Sequence, residues 1–134
     1  MKKTKSVIGM LALVLLFSSA FNPVETGLKE GKQAPMLKLK NSEGAVTLRE
    51  LKGRYVLLNF RAGYDAPSRM ENIRFAREID KSEIENISLV SVSFDTSRKV
   101  FEETIKRDGL NTATQFYDKD GSQSDIFDNY RLNK

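Results

Sequence analysis

The sequence predicts an α/β domain built around a parallel sheet. Two nearly continuous apolar runs, Tyr55–Phe60 and Ile87–Phe94, have the pattern of strands buried on both faces, as in a parallel sheet under helices. Each run is followed by a segment of helical periodicity. Strand and helix alternating in that order favour parallel pairing with right-handed crossovers.

The elements follow in chain order. Residues 1–20 read as a signal peptide. Lys2, Lys3 and Lys5 make a positive start, Val7–Phe17 an apolar stretch, and Ser18 and Ala20 supply the small residues before a cut after Ala20. The apolar stretch is shorter than the roughly 20 residues of a membrane-spanning helix. Residues 21–30 form a lead-in, and the domain proper runs over 31–134. Alternation in Met36-Leu37-Lys38-Leu39-Lys40 predicts a half-buried strand, Asn41–Gly44 a turn, and Ala45-Val46-Thr47 the returning strand of a hairpin. Leu48–Leu51 fits one helical turn, ended by Gly53.

After Tyr55–Phe60 comes a loop, Arg61–Asp65, and then a helix. Pro67 suits its first helical position, Asp65 its N-cap, and Ser68 with Glu71 has the spacing of a capping box. Met70, Ile73, Ala76 and Ile79 form its predicted apolar face, with Arg74 and Arg77 towards solvent. After Ile87–Phe94, Asp95 or Thr96 is placed to cap a helix over Ser97–Arg107, whose stripe is Val100, Phe101, Thr104 and Ile105. Asp108-Gly109 stops it. Thr114–Tyr117 predicts a short strand, Asp118–Gly121 a turn, and Ser124–Leu132 a last short helix.

Composition narrows the chemistry. The chain of 134 residues has no cysteine, histidine or tryptophan. That excludes disulfides, cysteine nucleophiles and zinc–thiolate sites, and it removes the commonest general base and transition-metal ligand. The net charge is +4, and cleavage after Ala20 would remove three lysines and no acid, leaving +1. A near-balanced mature chain gives no electrostatic case for nucleic acid.

Three stretches carry a family resemblance. The first is Gly31-Lys32-Gln33-Ala34-Pro35 followed by Leu37-Lys38-Leu39. The second is Val46-Thr47-Leu48 with Leu51-Lys52-Gly53-Arg54-Tyr55-Val56-Leu57-Leu58-Asn59-Phe60. The third is Arg61-Ala62-Gly63-Tyr64-Asp65-Ala66-Pro67-Ser68-Arg69-Met70-Glu71-Asn72. In this order and spacing the chain resembles the TlpA/ResA-type thioredoxin-like proteins of the AhpC/TSA-redoxin superfamily. Leu89–Asp95 fits that family's second core strand. The resemblance implies a thioredoxin-like sheet with flanking helices and an N-terminal β-hairpin. It also implies a cis-proline loop, two further strands and a final helix after the region where this sequence ends. No proline lies beyond Pro67. The expectation is therefore a fold incomplete at its C-terminus, with an open sheet edge.

The departures sit on the family's redox motif. Asp65 stands where the resemblance places the nucleophilic cysteine, and Ser68 where it places the resolving one. Thiol–disulfide exchange needs a thiolate that forms a mixed disulfide, and neither residue supplies it. Asp65 is read first as a helix cap and second as a catalyst. Glu71 matches a carboxylate that the family keeps beside its redox pair, and reads first as the capping-box partner of Ser68. Tyr64 precedes the degenerate pair, Pro67 lies between its two members, and Arg61 reads as a solvated loop residue. Asp118–Asp125 has oxygen ligands in partial step with a calcium loop, but its glycine falls at the fourth position rather than the sixth, so a turn and helix cap is the reading. No metal and no cofactor is expected.

The resulting expectation is a periplasmic or otherwise exported thioredoxin-like domain without the dithiol, acting as a redox-inactive binding or scaffold protein. Its partner would be a protein or peptide of unknown identity, with contact to a membrane only through the signal peptide, and with self-association at the open edge. Two alternatives stand beside it: an oxidoreductase using non-cysteine chemistry, and a non-functional remnant of a longer redox protein.

Overall fold

The computed structural model describes residues 23–132; the signal peptide read at 1–20 lies outside them. The described chain divides into two compact units, one ending at Pro35 and one starting at Met36. Within the first, Thr26 bridges Gln33, and the Gly27 and Gln33 amides donate to Gln33 and Glu25 carbonyls at 2.9 Å each. Gly31, at φ +78°, turns the chain between them.

The second unit opens with strands β1 (Lys38–Lys40) and β2 (Ala45–Thr47), paired antiparallel with Leu39 opposite Val46. The expected turn closes the hairpin. Asn41 Oδ1 accepts from the Glu43 and Gly44 amides, while its Nδ2 donates to the Ala113 carbonyl at 3.0 Å. Strand β3 (Tyr55–Arg61) leads into helix α1 (Ala66–Lys81), β4 (Ile87–Ser93) into α2 (Arg98–Asp108), and β5 (Gln115–Tyr117) into the short α3 (Asp125–Asn129). The strands β3, β4 and β5 form a parallel sheet in that order, so β4 is central.

The register sets the two faces of this sheet. Val56, Leu58 and Phe60 of β3, Val90 and Val92 of β4, and Phe116 of β5 share one face with Leu37 and Leu39 of the hairpin. Ile126 and Tyr130 close this apolar core from the C-terminal side, with the Phe60 and Tyr130 rings 5.1 Å apart. The opposite face meets helices α1 and α2. There the rows across the sheet are Leu57–Leu89, then Asn59–Ser91–Gln115, then Arg61–Ser93–Tyr117. This face thus turns polar towards the C-terminal ends of the strands, where open α/β sheets place their sites.

Several expectations change. Strand β3 is not buried on both faces: its residues up to Phe60 are half-buried or exposed, because among the described residues it pairs on one side only, whereas Leu89–Ser93 of β4 are fully buried. The inward position of α1 is Asn72, not Met70, which is 63% exposed; Phe75, Ala76 and Ile79 follow Asn72 at helical spacing. Ser97, rather than Asp95 or Thr96, caps α2, its hydroxyl accepting from the Val100 amide. Gly109 ends α2 at φ +63°, the left-handed geometry that a glycine adopts without a Cβ penalty. Helix α3 is shorter than predicted and is capped by Ser124.

Candidate functional site

The junction of β3 and α1 gathers the residues of the degenerate motif. Asp65 is the N-cap of α1, with extended backbone and a carboxylate that accepts from the Ser68 amide at 3.2 Å. It thereby satisfies one of the amides left open at a helix start. Pro67 follows as the second helical residue, where it has no intrahelical bond to lose. The Ser68 hydroxyl folds back onto the chain, donating to the Asp65 carbonyl at 3.1 Å. Tyr64 stands out at the tip, 76% exposed.

The capping box read at Ser68 and Glu71 does not form. Asp65 occupies the cap, which makes Ser68 the third helical residue, and the exposed Glu71 pairs along the helix with Arg74 at 3.6 Å. Asp65 and Glu71 are therefore engaged separately, one on a backbone amide and the other on a guanidinium.

The larger correction concerns Arg61. It is not a solvated loop residue but the last residue of β3, 3% exposed. Its Nη1 lies 3.7 Å from Asp95 Oδ2, its guanidinium carbon 5.6 Å from the Phe101 ring centre, and its Nε donates to Gln115 Oε1 at 3.4 Å. Burial lowers the arginine's pKa from its ordinary value, and the Asp95 carboxylate pulls it back up.

Asp95 ties this charge to the loop above. Its Oδ1 accepts from the Gly63 amide at 2.5 Å and its Oδ2 from the Ser93 hydroxyl at 2.6 Å. Buried Asn72 extends the network, donating to Gln115 Oε1 at 2.9 Å and accepting from Asn59 Nδ2 at 3.1 Å. Arg69 then clamps the two helices together through a two-pronged ion pair with Asp108, one prong at 2.7 Å. Sequence reasoning missed Arg61, Asn72, Asp95 and Gln115 as a group. For Arg61 the signal was the in-phase alternation of Leu58-Asn59-Phe60-Arg61 with Val90-Ser91-Val92-Ser93, and the sequence holds no comparable signal for the other three.

Chemically this is a loop held by a buried ion pair beneath a carboxylate-capped helix start. Its exposed tip carries the side chains of Tyr64 and Asp65. Among the described residues no three acidic, histidine or cysteine side chains stand together as metal ligands. At Asp118–Asp125 the Asp118 carboxylate instead accepts from the Asp120 amide at 3.0 Å, and Ser124 caps α3.

Comparison with known proteins gives consistent relatives. The AhpC/TSA family pattern matches residues 31–133. The thioredoxin-like protein YneN of Bacillus subtilis (strain 168) is 31% identical over 102 residues, which are 71% of this chain and 59% of that protein's length. The chain thus spans less than two thirds of that relative. Among solved structures, a thioredoxin-like protein from Parabacteroides distasonis ATCC 8503 superposes with a TM-score of 0.67 at 35% identity, over 81% of this chain and 76% of the other. A thiol-disulfide oxidoreductase from Bacteroides fragilis NCTC 9343 superposes with a TM-score of 0.62 at 29% identity, over 75% and 76%. The fold is thioredoxin-like.

Proposed function

The chain belongs to the AhpC/TSA family, and from that premise we propose that it is an exported, redox-inactive member that acts by binding or scaffolding. The observation that carries this reading is Asp65. The residue placed at the family's nucleophile position is a carboxylate spent on capping α1, in a sequence with no cysteine anywhere. Disulfide exchange passes through a sulfur–sulfur bond to the protein, and no side chain here can form one. What remains at the junction is a fixed loop presenting Tyr64, supported from below by Asp95 and Arg61. An exposed aromatic on an anchored loop suits contact with a protein or peptide.

Export rests on the pattern of residues 1–20. Among the described residues no helix is long and apolar enough to cross a membrane.

The test is reduction of insulin disulfides by the purified protein with a dithiol supplied. The expected result is no turnover above a heat-treated control, with Asp65→Cys plus Ser68→Cys as the comparison protein. Turnover by the unaltered chain overturns the reading. Intact-mass analysis of the exported protein tests the leader: a mature chain starting at Phe21 is expected, and one retaining Met1 rejects it.

A further inference from the structure

A cavity of about 430 Å³ opens beside β5, and no residue of β3 or β4 lines it. Small-molecule sites usually hold about 300–1,000 Å³. Helix α2, strand β5 and the turn that follows β1 enclose it. Its inner surface is apolar. Phe101 and Ile105 are buried, Leu110 and Tyr117 are half-buried, and the Phe101 and Tyr117 rings lie 5.5 Å apart. The turn is fastened to the segment that follows α2, so the cavity exists without a ligand to shape it. Asn41 Nδ2 donates to the Ala113 carbonyl at 3.0 Å, and the Thr112 hydroxyl donates to Glu43 Oε1 at 3.4 Å. None of Tyr64, Asp65 and Ser68 lines it, so it stands apart from the degenerate motif.

The charge around this cavity is one-sided. Lys40, Arg98 and Lys106 line it against a single acid, Glu102. Glu102 is engaged by Arg98 at 3.7 Å, and the Arg98 guanidinium also lies over the Tyr117 ring, 5.4 Å from its centre. Among the described residues no carboxylate stands within ion-pair distance of Lys40 or Lys106. Two ammonium groups are thus left uncompensated beside an apolar surface. We propose that this cavity binds a small amphipathic carboxylate, with its ring or chain on Phe101, Ile105, Leu110 and Tyr117 and its carboxylate met by Lys40 and Lys106. The occupant follows from charge complementarity. A cation would meet the excess positive charge, and a sugar or an inorganic anion would leave the apolar surface uncovered. Burial of the apolar body supplies affinity, and the ammonium groups supply the preference for an anion.

Residue-resolved NMR titration of the full chain tests it, with phenylpropionate as the probe and phenylpropanol as its neutral counterpart. The expected result is a saturable shift of the Phe101, Ile105, Leu110 and Tyr117 amides. The carboxylate should bind about tenfold more tightly than the alcohol at low salt, and added salt should shrink that preference. Lys40→Gln combined with Lys106→Gln changes two exposed side chains that have no ion-pair partner. It should abolish the preference while leaving the affinity for the alcohol unchanged. No saturable shift at millimolar phenylpropionate overturns the proposal. So do shifts that map away from these residues, since the probe then binds elsewhere. Equal binding of the carboxylate and the alcohol overturns it too, as does a double variant that keeps the preference. If the double variant does not fold, the comparison of the two probes on the unaltered chain decides.

Discussion

Arg61 Nη1 and Asp95 Oδ2 stand 3.7 Å apart, and neither side chain reaches solvent. The pair joins the end of β3 to the residues following β4, and through the Gly63 amide it fixes the loop that precedes α1. A buried pair is weak evidence of stabilisation, but breaking one half leaves an uncompensated charge. Asp95→Asn is expected to cost about 3–5 kcal/mol in a urea melt. Arg61→Met combined with Asp95→Asn should cost less than the sum of the two single changes, because no lone charge remains. Strict additivity would mean that the two side chains are not coupled.

Asp65 is a structural residue by its geometry. Asp65→Ala should cost roughly 0.5–2 kcal/mol, whereas Asp65→Asn and Asp65→Ser retain an oxygen for the Ser68 amide and should cost little. Three neutral substitutions would show that α1 starts without help from this side chain.

Much of the frame was legible because apolar runs, turn residues and caps act locally. Tyr55–Phe60, Ile87–Phe94, the Asn41–Gly44 turn and the Gly109 stop all appear where pattern alone placed them. The helix-facing layer was not legible. Its residues are polar, and they are buried because they satisfy one another across elements far apart in sequence: Asn59 with Asn72, Asn72 with Gln115, Arg61 with Asp95. Hydropathy therefore set the phase of α1 on Met70, whereas the helix turns Asn72 inward to bonds that only the sheet register supplies. Arg61 is hidden for the same reason, since a charge after an apolar run looks like the start of a loop.

Alkaline pH should weaken the C-terminal closure of the core. Burial pushes the Tyr130 hydroxyl up from its ordinary 10.0. Unfolded chains then lose this proton first, so the stability present below about pH 10 falls as pH rises between the unfolded and folded values. Tyr130→Phe keeps the ring against Phe60 and removes that titration. Melts of the two proteins compared from pH 8 to pH 11 should converge or cross in favour of the phenylalanine variant as pH rises. Parallel curves would mean that Tyr130 ionises alike in both states.

Gly63 gives the sharpest steric test of the loop. A Cβ built on it would lie 2.8 Å from Asp95 Oδ1, 2.9 Å from Thr104 Oγ1 and 3.2 Å from Asp95 Oδ2. Its φ is not in the left-handed region, so the constraint is space rather than backbone conformation. The crowding atoms have little room to retreat. Asp95 is held by the Gly63 amide itself, the Ser93 hydroxyl and the charge of Arg61, and Thr104 sits on the buried face of α2. Gly63→Ala therefore has to lengthen the Gly63–Asp95 bond or shift the carboxylate on the arginine, and overpacking of this kind costs about 1–3 kcal/mol. Thr104→Ala on top of Gly63→Ala relieves one of the three contacts and should recover part of the loss, while leaving Asp95 in place. Urea melts of the two variants check this. An alanine tolerated at Gly63 without loss would show that the loop moves freely over Asp95, and that the ion pair beneath does not fix it.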